Sequence, residues 1–481
     1  MITATVGRAP FFCLLSLVGL TLLYIVSAAT HAANPGLAQE PEFVSAQPDA
    51  AAAQLGEDFF IDLLTLSDPQ AIKAAFATIE QQWDSSYIPI LIEVSIFAGS
   101  DYTSDSVFAT LAKMTGKGFG PHTRVWQDWL WNRPEIRSPS YAEFKADLYR
   151  QIDPRFETYF RGRGDDARIR FDEIQWGGVA QDGIPPLRSP EMISVEEAAY
   201  LDDDNIVFGI EINGDARAYP KRILAWHEMF TDTIGGVDIA GVYCTLCGTV
   251  IPYETSVDGQ NFQLGTSGFL YRSNKLMYDQ ETQSLWNTIR GEPVVGPLAD
   301  SGVRLPFTSV VTTTWGEWKT RHPETTVLSL NTGHRRDYGE GAAYRDYFAT
   351  DRLMFQTPFH DDRLANKQEV LALRFMASPK EQLAIDTAFL VDNPLYVDRV
   401  GNQSVLVLTD ATGANRVYDP KDVKFESYDG DSALVDSRGI AWQLEEEQLR
   451  SADEQSLPRL PYHRAFWFGW YATFPETRLV K

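Results

Sequence analysis

Two stretches far apart in the chain, "WGEWKTRHPET" from Trp315 and "WFGWYATFPET" from Trp467, share the pattern W-x-x-W-x-x-x-x-P-E-T. Such a match is hard to obtain by chance, because only 12 of the 481 residues are tryptophan and four of them fall in these two stretches. Upstream, further positions match in the same order: Asp232 and Gly235 with Asp398 and Gly401, Gly248 and Tyr253 with Gly413 and Tyr418, Asp279 with Asp436, Trp286 with Trp442. The separation between partners shrinks steadily along the chain, as loop deletions in a second copy would make it. The pattern predicts two homologous β-rich units, 182–333 and 366–481, joined by a connector over 334–365 and packed about a pseudo-twofold axis. Within the first unit "NIVFGIEINGDARAYP" places two strand-like runs around Asn213-Gly214, the strongest short hairpin signal.

The chain before this region reads as helix. In "SDPQAIKAAFATIEQQW" Asp68 is placed to cap, Pro69 suits the first turn, and Ile72, Phe76, Ile79 and Trp83 share one face. "SPSYAEFKADLYRQID" repeats the logic with Pro139 early and Tyr141, Phe144, Leu148 and Ile152 in one stripe. Residues 87–98 and 104–115 read as two further helices, the second stopped by Gly116, and Trp126, Trp129 and Trp131 read as packing between helices. Short paired helices predict a repeat-like helical domain over 57–161 and a surface for a protein partner. The fold class expected is therefore α+β, helical repeats first and a mainly β region second.

Composition narrows the function. With 42 Lys and Arg against 66 Asp and Glu the formal charge is -24, which repels polyanions and excludes nucleic acid as the expected partner. The first residues carry Arg8, then an uncharged run from Phe11 to Ala29, then small residues, the layout of a signal peptide or membrane anchor over 1–33. Residues 34–56, rich in Ala, Pro, Gln and Glu, read as a linker. The expected location is outside the cytoplasm, in the periplasm or cell envelope, free or held to the membrane by the N-terminal segment.

Export places Cys244 and Cys247, in "GVYCTLCGTVIPYE", where disulfides persist. A turn brings residues three apart within about 7 Å, and Gly248 permits a left-handed exit, so both sulfurs face one point. Three readings stay open. One is a disulfide, inert or redox-active; "GTVIPY" does not read as the helix that would activate a thioredoxin-like cysteine. Another is a metal site, for which zinc wants four ligands and copper(I) fewer, with His227 and then Met277 completing the set. The third is a nucleophilic thiolate with His227 as base. Comparison of the two units sharpens the choice of residues: Cys244 faces Thr409, Cys247 faces Thr412 and His227 faces Asn393, while Leu434 opposite Met277 points to a core position. The segment "LGTSGFLYRSNK" is shortened in the second unit, so Tyr271, Ser273 and Asn274 are candidates to line a pocket, or else complete a polar loop. His322, His334 and His360 lie in connecting or framework stretches and receive no role.

In order along the chain, "DGIPPL", "EINGDARAYPKRILAWHE", "DTIGGVDIAGVYCTLCGTVIPYE", "GTSGFLYRSNKLMYDQETQSLW", "GEPVVGPLA" and "TTTWGEWKTRHPETTVLS" resemble the prokaryotic family called domain of unknown function 3179. The resemblance runs from about Asp182 to the C-terminus. Upstream, "LAKMTGKGFGPHTRVWQDWLW" and "IDPRFETYF" resemble the helical, HEAT-like extension of some members. Where the family has Pro between the cysteines this chain has Thr245. No activity follows from the resemblance. The residues themselves lead to a Cys244/Cys247 site beside His227 for copper, zinc or thiol redox exchange, against a non-catalytic scaffold whose cysteines form an inert staple.

Overall fold

The local chemistry of the early helices is the expected one. Asp68 accepts hydrogen bonds from the backbone N–H groups of Gln70 and Ala71, Pro69 begins the helix Pro69–Gln81, and Ile72, Phe76 and Ile79 are its buried stripe. Helices Glu57–Thr65, Tyr87–Phe97, Asp101–Thr115, Thr123–Trp131 and Tyr141–Tyr149 complete this layer. Tyr87–Phe97 is apolar on nearly all sides and forms its centre, with Ile90, Leu91 and Val94 wholly buried. Its single charge, Glu93, is matched by the buried Lys145 at 2.8 Å and by the Tyr141 and Tyr149 hydroxyls. The structure, a computed structural model, describes residues 54–481. The segment 1–33 and most of the linker lie outside the described residues.

The helical layer does not close its own core. Phe269, on the strand Leu264–Tyr271, stands 5.0 Å from the ring of Tyr149, 4.7 Å from Phe156 and 5.2 Å from Phe160. One continuous apolar cluster therefore runs from Phe60 through these rings to Leu276 and Leu285 of the sheet.

From residue 174 onward the chain is mainly β. Asn213 and Gly214, at φ 51° and 77°, turn the hairpin Ile206–Ile212 and Asp215–Pro220 as the sequence predicts. That hairpin is flanked by Val311–Thr314, antiparallel, and Thr326–Leu328, parallel. The hairpin Glu369–Arg374 and Gln382–Asp386 is flanked in the same senses by His463–Phe466 and Arg478–Val480. Between the flanking strands lie the short helices Trp315–Arg321 and Trp467–Thr473, whose tryptophans 315, 318, 467 and 470 are all buried.

The recurring motif residues do recurring work. Trp318 donates its indole N–H to the Thr325 hydroxyl at 2.9 Å and Trp470 to the Thr477 hydroxyl at 3.0 Å. Trp286 donates to Asp279 and Trp442 to Asp436. A buried indole needs such an acceptor, and each motif supplies its own. The strand Thr249–Glu254 runs beside His463–Phe466, with Phe466 N–H donating to the Cys247 carbonyl at 2.7 Å.

Candidate functional site

The strands Val237–Cys244 and Thr249–Glu254 pair antiparallel up to Cys244 opposite Thr249, which leaves Thr245 to Gly248 as the connecting turn. Gly248 takes φ 60°, and a Cβ on it would stand 2.7 Å from the Phe466 ring, so glycine is required there by backbone and neighbour alike. The turn brings the Cα atoms of Cys244 and Cys247 to 5.3 Å, and the two sulfurs are joined as a disulfide. Cys244 is 1% exposed and Cys247 is fully buried.

The two sulfurs have different surroundings. Cys247 Sγ lies 2.8 Å from Asn274 Oδ1 and 3.6 Å from the Ser273 carbonyl. The Asn274 amide is fixed in that orientation because its Nδ2 donates to Arg272 O, Gly469 O and Thr473 Oγ1. Both oxygens are acceptors, placed to receive a hydrogen bond from a thiol at this sulfur once the disulfide is opened. Gly469 closes the same side: a Cβ there would stand 3.1 Å from Cys247 Cβ and 3.2 Å from Asn274 Oδ1. Gly469→Ala is expected to destabilise the protein by about 1–3 kcal/mol through this overpacking, checked by urea denaturation.

Cys244 instead opens on a cavity of about 70 Å³ that it shares with Thr245, Glu228, Lys275, Tyr344 and Phe355. Glu228 ends the helix Lys221–His227 in the left-handed conformation, φ 55°, which a non-glycine residue adopts at a cost of about 1 kcal/mol. Its side chain accepts from the Thr245 hydroxyl at 2.7 Å and the Tyr344 hydroxyl at 3.0 Å, and pairs with Lys275 Nζ at 3.3 Å. Lys275 Nζ also donates to the Glu228 carbonyl at 3.0 Å. Tyr344 is left-handed as well, at φ 56°. Burial lowers the Lys275 ammonium from its ordinary pKa, against the pull of Glu228. Burial, and then Glu228, hold the Tyr344 phenol well above its usual range. A larger cleft of about 610 Å³, lined among others by Arg124, Tyr149 and Trp176, meets this cavity at Met354 and Phe355, which border both.

The structure thus gathers Cys244, Cys247, Ser273 and Asn274, but it does not bring the remaining candidates to them. His227 is fully buried with Nδ1 2.9 Å from the Pro185 carbonyl and Nε2 2.6 Å from the Tyr338 hydroxyl, so both ring nitrogens are engaged elsewhere. Met277 belongs to a separate apolar cluster with Met229, Val242 and Trp286. Tyr271 lines a different cavity, on the far side of the Arg272–Ser273 turn. Among the described residues no group of three or more His, Cys, Asp or Glu side chains converges to hold a metal. Of the expected ligand set Cys244, Cys247, His227 and Met277, the structure joins the two cysteines and gives His227 and Met277 other contacts; the helix end that carries His227 delivers the next residue, Glu228, to the cysteine turn.

Glu228, Lys275 and Tyr344 are absent from the residues singled out by sequence, and Thr245 appears there only as a departure from the family pattern. The available signal was Lys275, a cation inside the strand-like run "NKLMYD", and its neighbour Glu228 directly after His227. Tyr344 had none, because its place depends on how the connector folds back. No curated protein and no solved structure matches the chain. Residues 181–477 match the family described as protein of unknown function (DUF3179), and the chain belongs to that family.

Proposed function

We propose that the chain is an exported thiol–disulfide exchange protein with Cys244 and Cys247 as its working couple. The observation that carries this reading is the asymmetry of the pair: Cys244 faces a cavity with a buried amine and carboxylate, while Cys247 is enclosed by Asn274, Ser273 and Gly469. A substrate thiol gives up its proton and the resulting thiolate attacks Cys244 Sγ, the S–S bond breaks, and its electron pair passes to Cys247, which takes up that proton as a thiol and donates a hydrogen bond to Asn274 Oδ1. The second substrate thiol likewise gives up its proton and attacks the substrate sulfur of the mixed disulfide, and Cys244 leaves as a thiolate and takes up that proton. The substrate dithiol departs as a disulfide and the chain keeps two thiols; a substrate disulfide runs the same steps in reverse. Lys275, with its ammonium pKa lowered by burial and its position fixed by Glu228, is the group in the cavity suited to hold the transferred proton.

Export rests on the composition of residues 1–33. The reading also takes the chain from 182 onward as two homologous units, the first keeping the site and the second serving as scaffold. The shared motif positions, the like strand order and the matched tryptophan hydrogen bonds support it. The helical layer is the surface we assign to a protein partner.

A second reading, an inert staple in a scaffold protein, is favoured by the near-complete burial of both sulfurs. Thiol titration of the native full chain separates the two. Exchange predicts that a mild dithiol reductant liberates both thiols without denaturant, and that Cys247→Ser traps glutathione on Cys244 while Cys244→Ser traps none. Thiols that appear only after unfolding assign the staple. Copper or zinc bound stoichiometrically by the reduced native protein would return the pair to metal binding.

A further inference from the structure

The hairpin that places Ser273 and Asn274 on Cys247 presents Arg272 on its other side, to a cavity of about 450 Å³. That volume lies in the range of small-molecule sites. Arg168, Arg272, Arg290 and Arg304 line it, in a chain whose formal charge is -24. A recess sharing Arg290, Glu292 and Arg304 adds a fifth guanidinium, Arg374.

The carboxylates around these five cations are too few. Arg168 pairs with Asp300, Arg272 with Glu173, and Arg304 with Glu292 at 2.7 Å. Arg290 has no carboxylate within ion-pair distance among the described residues; it donates to the Thr473 carbonyl at 2.9 Å and lies 4.6 Å over the Phe474 ring. Arg374 is 8% exposed and donates through Nη2 to the Tyr253 hydroxyl at 3.2 Å, while its Nε has no hydrogen-bond partner. Its guanidinium lies 4.1 Å from the Phe307 ring centre. Two guanidinium charges are thus held in largely desolvated positions with carbonyl, hydroxyl and ring contacts but no carboxylate in ion-pair contact among the described residues, the nearby Glu292 being paired with Arg304. Buried charge without a counter-ion is costly, and guanidinium forks match carboxylate and phosphate oxygens in shape. Burial lowers both the Arg290 and Arg374 pKa values; Glu292 opposes this at both, as do Tyr271 at Arg290 and Tyr253 at Arg374, and the neighbouring arginines add to the lowering.

We propose that this cavity is a binding site for a small organic dianion, whose carboxylate or phosphate oxygens sit between Arg290 and Arg304 and supply the charge that Arg290 and Arg374 lack. The site is independent of the disulfide chemistry, since none of its arginines touches either sulfur.

Calorimetric titration of the full chain with succinate, inorganic phosphate and glycerol 3-phosphate, each at ionic strength matched with sodium chloride, tests this. The expected result is saturable one-to-one binding of at least one dianion; the carboxylate and phosphate arms identify which oxygens the site takes. Arg290→Gln, and separately the more exposed Arg304→Gln, are expected to weaken that binding at least tenfold, while Cys244→Ser leaves it unchanged. Heat that does not exceed the chloride control for any of the three anions would overturn the proposal, as would binding that survives both arginine substitutions in folded protein.

Discussion

Replacing Arg416 by methionine is expected to lower the unfolding free energy by about 4 kcal/mol, seen as a fall in the urea midpoint with the slope unchanged. The Arg416 side chain is 2% exposed and donates to three carboxylates: Glu317 at 3.0 Å, Asp410 at 2.9 Å and Glu446 at 2.7 Å. Burial would raise the Glu446 carboxyl, yet Arg416 and Arg459 hold it well below the usual carboxylate range. Methionine fills much of the arginine stem's volume but leaves those carboxylates desolvated with too little positive charge. The loss is large because a broken buried pair strands its partner, whatever the intact pair contributes. Glu317 belongs to the Trp315–Arg321 helix and Arg416 to the strand Asn415–Tyr418, so the substitution loosens the contact between that helix and that strand. Adding Glu446→Gln to the variant is expected to recover part of the loss. A midpoint within experimental error of the unsubstituted chain would rule this account out.

Acidification from pH 6.5 to pH 4 is expected to remove on the order of 3 kcal/mol of stability for each of two buried imidazoles, His227 and His463. Burial lowers His227 to about 4, with His334 and Arg336 adding to it and the Pro185 carbonyl opposing. Burial and then Arg374 lower His463 to about 3, against the Arg464 carbonyl. In the unfolded chain both rings take up a proton near pH 6.5, while in the folded chain they do so only near those lower values. Between the two the unfolded state binds more protons, so stability falls as pH falls. His322 runs the other way: burial lowers its pKa, but Glu211 and Glu446 outweigh this and raise it, so its contribution persists in acid and softens the decline. Thermal unfolding across this range checks the expectation. His227→Gln, with an amide that can still reach the Pro185 carbonyl or the Tyr338 hydroxyl, should flatten the acid limb, and an unchanged slope would remove His227 from the account.

What could be read from the sequence was set by how local each interaction is. Asp68 caps its own helix, Asn213 and Gly214 turn their own hairpin, and Cys244 reaches Cys247 through a turn of their own strands. Each is decided within a few residues, and each stands where the spacing puts it. The surroundings of the sulfurs are decided by segments far apart: Lys275, in one sheet, meets Glu228 at the end of the helix Lys221–His227, Tyr344 arrives from 116 residues beyond Glu228, and Gly469 comes from the helix Trp467–Thr473. His227 shows the limit best. Its neighbour Glu228 leaves the helix with φ 55°, and that single left-handed residue sends the carboxylate to the cysteine turn while the imidazole stays behind with Pro185 and Tyr338. No periodicity in "ILAWHEMF" distinguishes the two outcomes.

The ring cluster around Phe269 bears on where this chain can be cut. The family match starts at residue 181, but the face of the sheet that holds Phe269 is covered by Tyr149, Phe156 and Phe160, which precede it. A fragment trimmed to the matched boundaries would be born with a greasy aromatic face and no cover for it. The matched segment and the segment that covers its own apolar face are therefore different lengths of the same polypeptide.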